Sequence, residues 1–206
     1  MALTKIKGAV WDSGDNGLPA SIVDFGVLTT NTGTQNATAL QAAINRNGED
    51  GGMLFVPQGE YAIEGDINIV DNTVLYGEGY TSFLNFSNGG LVLDSTIAED
   101  PTIQLHKWRI ADLRLERSGA TTGPVINMFG DGGTPNDGVS WGQLDTVFIT
   151  GSYNDSAVKS GEGIKCSDTY IMDWYNVVVL SCTKGAYFTD VAGIGCLDVR
   201  LHGGEF

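Results

Sequence analysis

Residues Gly51–Ser82 read GGMLFVPQGEYAIEGDINIVDNTVLYGEGYTS, and this stretch decides the fold. Met53 and Phe55, Tyr61 and Ile63, Ile67 and Ile69, and Val74 and Tyr76 each stand two apart, the period of a half-buried strand. Pro57 and Gly59 bracket one turn, Gly65-Asp66 a second, Asp71-Asn72 a third and Gly77–Gly79 a fourth. No run between them is long enough for a crossover helix, which argues against a doubly wound sheet. Short strands joined by tight turns and winding onward predict a solenoid in which each coil stacks on the last.

Just upstream, Asn36–Asn45 predicts a short amphipathic helix with Leu40, Ala43 and Ile44 on one face. Asn36 or Thr38 can cap its start, and Asn47-Gly48 can end it. Such a helix before a solenoid is suited to plug the apolar end of the first coil, with Leu40 and Ile44 against Phe55 and Val56.

Four segments then occur in order: Asp24–Val27, Thr38–Ile44, Gly51–Tyr61 and Leu75–Thr81. Together they resemble the N-terminal part of the pectate-lyase-like, right-handed parallel β-helix proteins, most of all bacteriophage tailspikes and tail fibres. The resemblance implies an all-β solenoid with a capping helix. It divides the chain into a tail-attachment or extended segment (1–20), a connecting segment with the helix (21–50) and a β-helix (51–206). The chain departs from the family at Thr30–Gly33 and Gln35–Ala37, where a Gly-Asp-Gly turn and an Asp-Asp-Thr helix start are usual.

The chain has 206 residues, 29 of them Gly and 5 Pro, with a formal net charge of −14. That charge repels phosphate backbones and anionic lipid, which argues against nucleic acid and membrane surfaces as partners. No stretch approaches the roughly twenty apolar residues of a spanning helix, so no membrane insertion is expected. Lys5 and Lys7 are not followed by an apolar signal-peptide core. Cys166, Cys182 and Cys196 lack metal-ligand spacing and read as reduced, packed side chains; no metal and no cofactor is expected.

After residue 82 an Asp or Asn recurs before apolar strands, at Asp112, Asp145, Asn176 and Asp198, about one coil apart. Insertions are expected at Leu93–Pro101, Gly119–Pro124, Gly130–Val139 and Tyr153–Gly163. No cap follows His202–Phe206, and the β-helix is expected to continue beyond it.

Period two places Asp112, Arg114 and Glu116, and likewise Asp198, Arg200 and His202, on an outer face. Paired carboxylates suit glycosidic cleavage, and Arg beside a base suits elimination from a uronate. Asp112, Glu116 and Asp198 are therefore the candidate catalytic residues. Arg114, Arg200, Trp108 and Trp141 are candidate carbohydrate-binding residues, and Trp174 and Tyr175 are further aromatics that either stack on sugar or fill the core. Acid–Arg columns also occur as plain cross-strand ion pairs.

The resemblance implies a virion tail fibre or tailspike. Leu3, Ile6, Val10 and Trp11 would attach it to a phage tail or baseplate protein. The assembly would be a homotrimer, made in the host cytoplasm, and the partner a host surface polysaccharide. Hydrolase or lyase depolymerase activity is left open. The alternative is a free polysaccharide lyase or glycoside hydrolase of the same fold.

Overall fold

The computed structural model describes residues 19–50, 52–95, 105–118, 123–130, 138–151, 161–189 and 196–206. Leu3, Ile6, Val10 and Trp11 lie outside the described residues. The chain opens with β1 (Ala20–Ser21), a 3-10 turn (Ile22–Phe25) and α1 (Gly33–Asp50). Short strands follow: β2 (Met53–Val56), β3 (Gly59–Glu64) and β4 (Ile67–Asn68). Next come β5 (Val74–Asn88), β6 (Leu91–Asp94), β7 (Arg109–Arg117), β8 (Pro124–Phe129) and β9 (Val139–Thr150). The last are β10 (Glu162–Ser167), β11 (Thr169–Leu180), β12 (Lys184–Thr189) and β13 (Leu197–Glu205).

The strands pair in parallel into two sheets, one ordered β1-β2-β5-β7-β9-β11-β13 with β3 also on β5, the other β12-β10-β8-β6-β4. The architecture is the expected right-handed parallel β-helix. β5, β7, β9, β11 and β13 each turn a corner, so the larger sheet forms two faces and the smaller sheet a third. The corner residues stack. Asn72, Lys107, Trp141, Ile171 and Asp198 all have positive φ and occupy successive coils before the first face. Asp112, Thr146, Asn176 and Gly203 do the same between the first and second faces. A single left-handed residue turns the strand sharply without breaking the pairing on either side.

The core is a set of inward rows. Leu54, Leu75, Ile110, Leu144 and Trp174 line the first face, and Tyr61, Leu84, Leu115, Ile149 and Val179 the second. This corrects the phase of two strands. Leu54, Val56 and Leu75 point inward, whereas Met53, Phe55, Val74 and Tyr76 face out, with the rings of Phe55 and Tyr76 5.3 Å apart. Tyr61, Ile63, Ile67 and Ile69 are buried as expected.

The helix is longer than the sequence suggested and starts earlier. Thr32 caps it: Gln35 N–H donates to Thr32 Oγ1 at 3.3 Å, and Thr32 N–H donates to Gln35 Oε1 at 3.0 Å, a reciprocal capping box. Thr38 is not the cap; its hydroxyl donates back to the Thr34 carbonyl at 3.0 Å. Asn36 is fully buried. Its amide accepts from Leu28 N–H at 2.9 Å and donates to the carbonyls of Leu28 and Ala62 at 2.9 and 3.0 Å. Gly48 falls inside the helical span, so the expected stop at Asn47-Gly48 is not observed.

These contacts cover the first coil on all its faces. β1 pairs with β2; Asn36 takes the Ala62 carbonyl of β3; Gln41 accepts from Asn68 N–H at 2.7 Å and donates to the Asn68 carbonyl at 2.9 Å on β4. Leu40, Ala43 and Ile44 fill the apolar space beneath, in one cluster with Leu54, Val56 and Ile63. Phe55 is not part of that plug, because it faces outward.

Leu40→Ala is expected to lower stability by about 2–5 kcal/mol, and Gln41→Ala by about 1–3 kcal/mol because both Asn68 groups lose their partner. Urea unfolding measures both. An unchanged midpoint for Gln41→Ala would mean that water satisfies β4 and the helix seals the coil by packing alone.

Candidate functional site

The first face of β7, β9, β11 and β13 carries two outward rows. One is Arg109, Gln143, Asp173 and Arg200; the other is Ala111, Asp145, Tyr175 and His202. Register makes these residues neighbours although the chain separates them by a coil each. Two diagonal pairs cross the rows. Arg109 Nη2 donates to Asp145 Oδ2 at 2.6 Å, and Asp145 Oδ1 accepts from Thr146 Oγ1 at 3.1 Å. His202 Nε2 lies 3.1 Å from Asp173 Oδ1. The His202 and Tyr175 rings stack, 4.4 Å apart and 9° from parallel.

At the corner beside these rows is a cleft of about 340 Å³. Its walls are Lys107, Arg109, Trp141, Gln143, Asp173 and Arg200, over Trp108, Gly142 and Ile171. Arg200 is held by Asp198 through Nε at 3.0 Å and Nη2 at 2.5 Å. That hydrogen-bonded pair, reinforced by Asp173, raises the Arg200 pKa above its ordinary value and keeps the guanidinium a fixed cation. Exposed ion pairs of this kind add little stability, so their effect here is to orient side chains. Trp141 is 61% exposed and sits at φ +49. A bulky side chain in the left-handed region is strained, and its exposed ring recovers little by burial. Asn72, Lys107, Ile171 and Asp198 share this conformation, so the corner itself imposes it.

The sequence-derived candidates divide. Asp198, Arg200 and Trp141 belong to this site. Trp108 does not face sugar: it is 2% exposed, and its indole lies so close to Gly142 that a Cβ there would come within 1.9 Å of the ring. Trp174 is likewise buried. Asp112 is a corner residue at φ +51, not one of the outward row, because the strand bends there. Arg114 and Glu116 do face out, on the second face, where they pair with each other and Glu116 also accepts from Thr150 Oγ1 at 3.0 Å. The acid–amide repeat does not stack as expected: Asp112 aligns with Thr146 and Asn176, while Asp145 aligns with Tyr175 and Asp198 with Ile171.

Arg109, Gln143, Asp145 and Asp173 were missed. Their signal was present as polar residues two apart between apolar ones: Gln143 and Asp145, Asp173 and Tyr175, Arg200 and His202. Of the cysteines, Cys166 is buried with its thiol pKa pushed well up by burial, and Cys182 and Cys196 are half-buried; none of the three is in a disulfide. Among the described residues no group of acids, His and Cys could hold a metal ion. Among them also, no helix is long and apolar enough to cross a membrane.

A family profile described as rhamnogalacturonase A/epimerase, pectate lyase-like, matches residues 20–122. The chain belongs to this family. The match runs from β1 through the cap to β7 and just beyond. No curated protein matches by sequence. Among solved structures the chain is similar to the A-module of mannuronan C-5 epimerase AlgE6 from Azotobacter vinelandii, at 15% identity and TM-score 0.60, over 91% of this chain and 56% of that one. It is similar to a candidate glycosyl hydrolase from Parabacteroides merdae, at 13% identity and TM-score 0.52, over 90% and 94%. A third is ORF18 of Geobacillus virus E2, at 15% identity and TM-score 0.51, over 91% and 41%. The chain thus spans about half the length of the epimerase module and less of the phage protein. At these identities the likeness is one of fold.

Trp141→Asn is expected to raise stability by about 1 kcal/mol, since Asn tolerates the left-handed conformation. Thermal unfolding checks this. A fall in Tm would show that the indole packs usefully and that its position is structural.

Proposed function

We propose that the first face binds a polysaccharide containing acidic sugars and starts its reaction by removing the proton beside the sugar carboxylate. The observation that carries this reading is the Asp173–His202–Tyr175 cluster beside a cleft walled by Lys107, Arg109 and Arg200. Asp173 accepts from one ring nitrogen of His202 and leaves the other for the substrate proton. The cations hold the carboxylate and stabilise the negative charge that develops next to it. The Tyr175 hydroxyl, stacked beside His202 on the same side of the sugar, gives up a proton to the leaving glycosidic oxygen, which is elimination; epimerisation would take its proton from water on the opposite face of the carbanion.

Hydrolysis is the less well supported chemistry. Asp145 and Asp173 stand diagonally on adjacent strands, a spacing of about 7–8 Å. Both carboxylates, however, are engaged by a basic group, Asp145 by Arg109 and Asp173 by His202. Glycosidic cleavage needs carboxyl groups free to reach the glycosidic oxygen and a water, and these oxygens are already engaged.

Purified protein incubated with polygalacturonate, alginate and dextran tests this. An unsaturated product or epimerised residues should appear on an acidic polymer and not on dextran. His202→Gln should lower the rate by about a hundredfold or more with binding retained. Reducing ends without unsaturation, abolished by Asp145→Asn, would instead establish hydrolysis.

The ordered family motifs and the fold likeness to the phage protein favour a second, compatible reading of where the activity resides. Here the chain is part of a virion tail fibre or tailspike that binds host surface polysaccharide as a homotrimer. Leu3, Ile6, Val10 and Trp11 contact a tail or baseplate protein. Deleting residues 1–18 should spare the β-helix, whose cap begins at Ala20, and abolish incorporation into particles. A deletion variant that still assembles onto tails would contradict the attachment role, and a monomer by light scattering would contradict the trimer.

A further inference from the structure

The turn Gly77-Glu78-Gly79-Tyr80-Thr81-Ser82 is unlike the corners stacked above it. Later coils pass from the first to the second face with one left-handed residue, at Asp112, Thr146 and Asn176. β5 instead shifts register against β7 between Tyr76 and Gly79 and again between Gly79 and Phe83. The extra residues are braced. Ser82 is fully buried, its hydroxyl donating to the Val56 carbonyl at 2.8 Å and accepting from Glu78 N–H at 2.7 Å. Gly79 takes φ +80, and a Cβ on Gly77 would lie 2.4 Å from that of Ser82. This corner is a rigid device, and what it delivers is Tyr80.

Tyr80 is 53% exposed. The Arg114 guanidinium lies 4.5 Å from its ring centroid and 4.1 Å from that of Phe83, so the cation is held between two aromatic rings. Phe148, on β9 two coils from β5, meets Tyr80 in a T-shaped contact at 5.5 Å and 84°. The phenol is thus fixed on Arg114 and Phe148 with much of its surface in water. Glu116 and Thr150 occupy the adjoining outward row, 3.0 Å from each other.

We infer that Tyr80 is a sugar-stacking platform, a secondary carbohydrate site on the second face separate from the cleft on the first. A pyranose ring has an apolar C–H face that a flat aromatic matches, and hydroxyls at its rim that Glu116 and Thr150 can meet. Preorganisation favours this use: a platform already fixed by a cation–aromatic sandwich loses little freedom on binding. The Arg114 charge is matched by Glu116, so the platform selects ring shape more than sugar charge. The inference rests on the reading that the chain binds polysaccharide.

The test is saturation-transfer NMR and calorimetry with mannuronate, galacturonate and cello-hexaoses as probes, on wild type, Tyr80→Ser, Tyr80→Trp and His202→Gln. Tyr80→Ser should weaken binding of at least one probe about tenfold, with circular dichroism and Tm confirming the fold, and Tyr80→Trp should restore it. The loss should persist in the His202→Gln background. Wild-type binding that survives Tyr80→Ser unchanged overturns the platform and leaves the first-face site standing. A change of oligomeric state in Tyr80→Ser, without a change in sugar binding, overturns it in favour of contact between copies. Failure of wild type to bind any probe overturns both this site and the reading beneath it.

Discussion

The backbone groups along the edge of the first coil are the constraint on which the rest depends. A parallel β-helix satisfies its donors and acceptors by stacking one coil on the next, and among the described residues no coil lies before the first. The chain meets this face by face. A two-residue strand covers β2, and the side-chain amides of Asn36 and Gln41 cover β3 and β4 in place of a strand. Two amides on one helix serve because each offers a donor and an acceptor together. Packing by Leu40, Ala43 and Ile44 excludes water from the same end. With the first coil closed, later coils inherit its register.

That register makes the site. The corner columns set where each strand begins its first face, so that Arg109, Gln143, Asp173 and Arg200 fall into line and Asp145, Tyr175 and His202 into the next. Small residues permit the close approach: only a hydrogen at Gly142 leaves room for the Trp108 indole that supports the cleft from below. The strained Trp141 and the braced Tyr80 show the fold holding an exposed aromatic in each of two places, once through backbone conformation and once through an irregular corner.

Much of the architecture was legible in the sequence because period two, glycine turns and the absence of crossover helices each have one physical reading. Tyr61, Ile63, Ile67 and Ile69 were placed inward and are buried. The phase of β2 and of the start of β5 was not legible: Met53-Leu54-Phe55-Val56 is apolar on both faces, so alternation has no preferred side. Aromatic Phe55 and Tyr76 then pack on each other outside while Leu54 and Leu75 fill the core. The site was half legible. Arg200 and Trp141 could be seen as outward or aromatic, but which acids meet which bases depends on coil lengths that loop insertions set. Asp145 and Arg109 are 36 residues apart in the chain, and nothing local couples them. A corner with positive φ at Asp112 also breaks strict alternation, which is why an outward row extrapolated through it failed.

The central claim is that the first face, with the rows of β7, β9, β11 and β13, is the surface that receives polysaccharide. Hydrogen–deuterium exchange with and without a saturating acidic oligosaccharide tests it most directly. The account predicts added protection in peptides covering Arg109–Ala111, Gln143–Thr146, Asp173–Tyr175 and Asp198–His202, with β8, β10 and β12 unchanged. Protection centred on β8, β10 and β12 would contradict it and move the site to the third face.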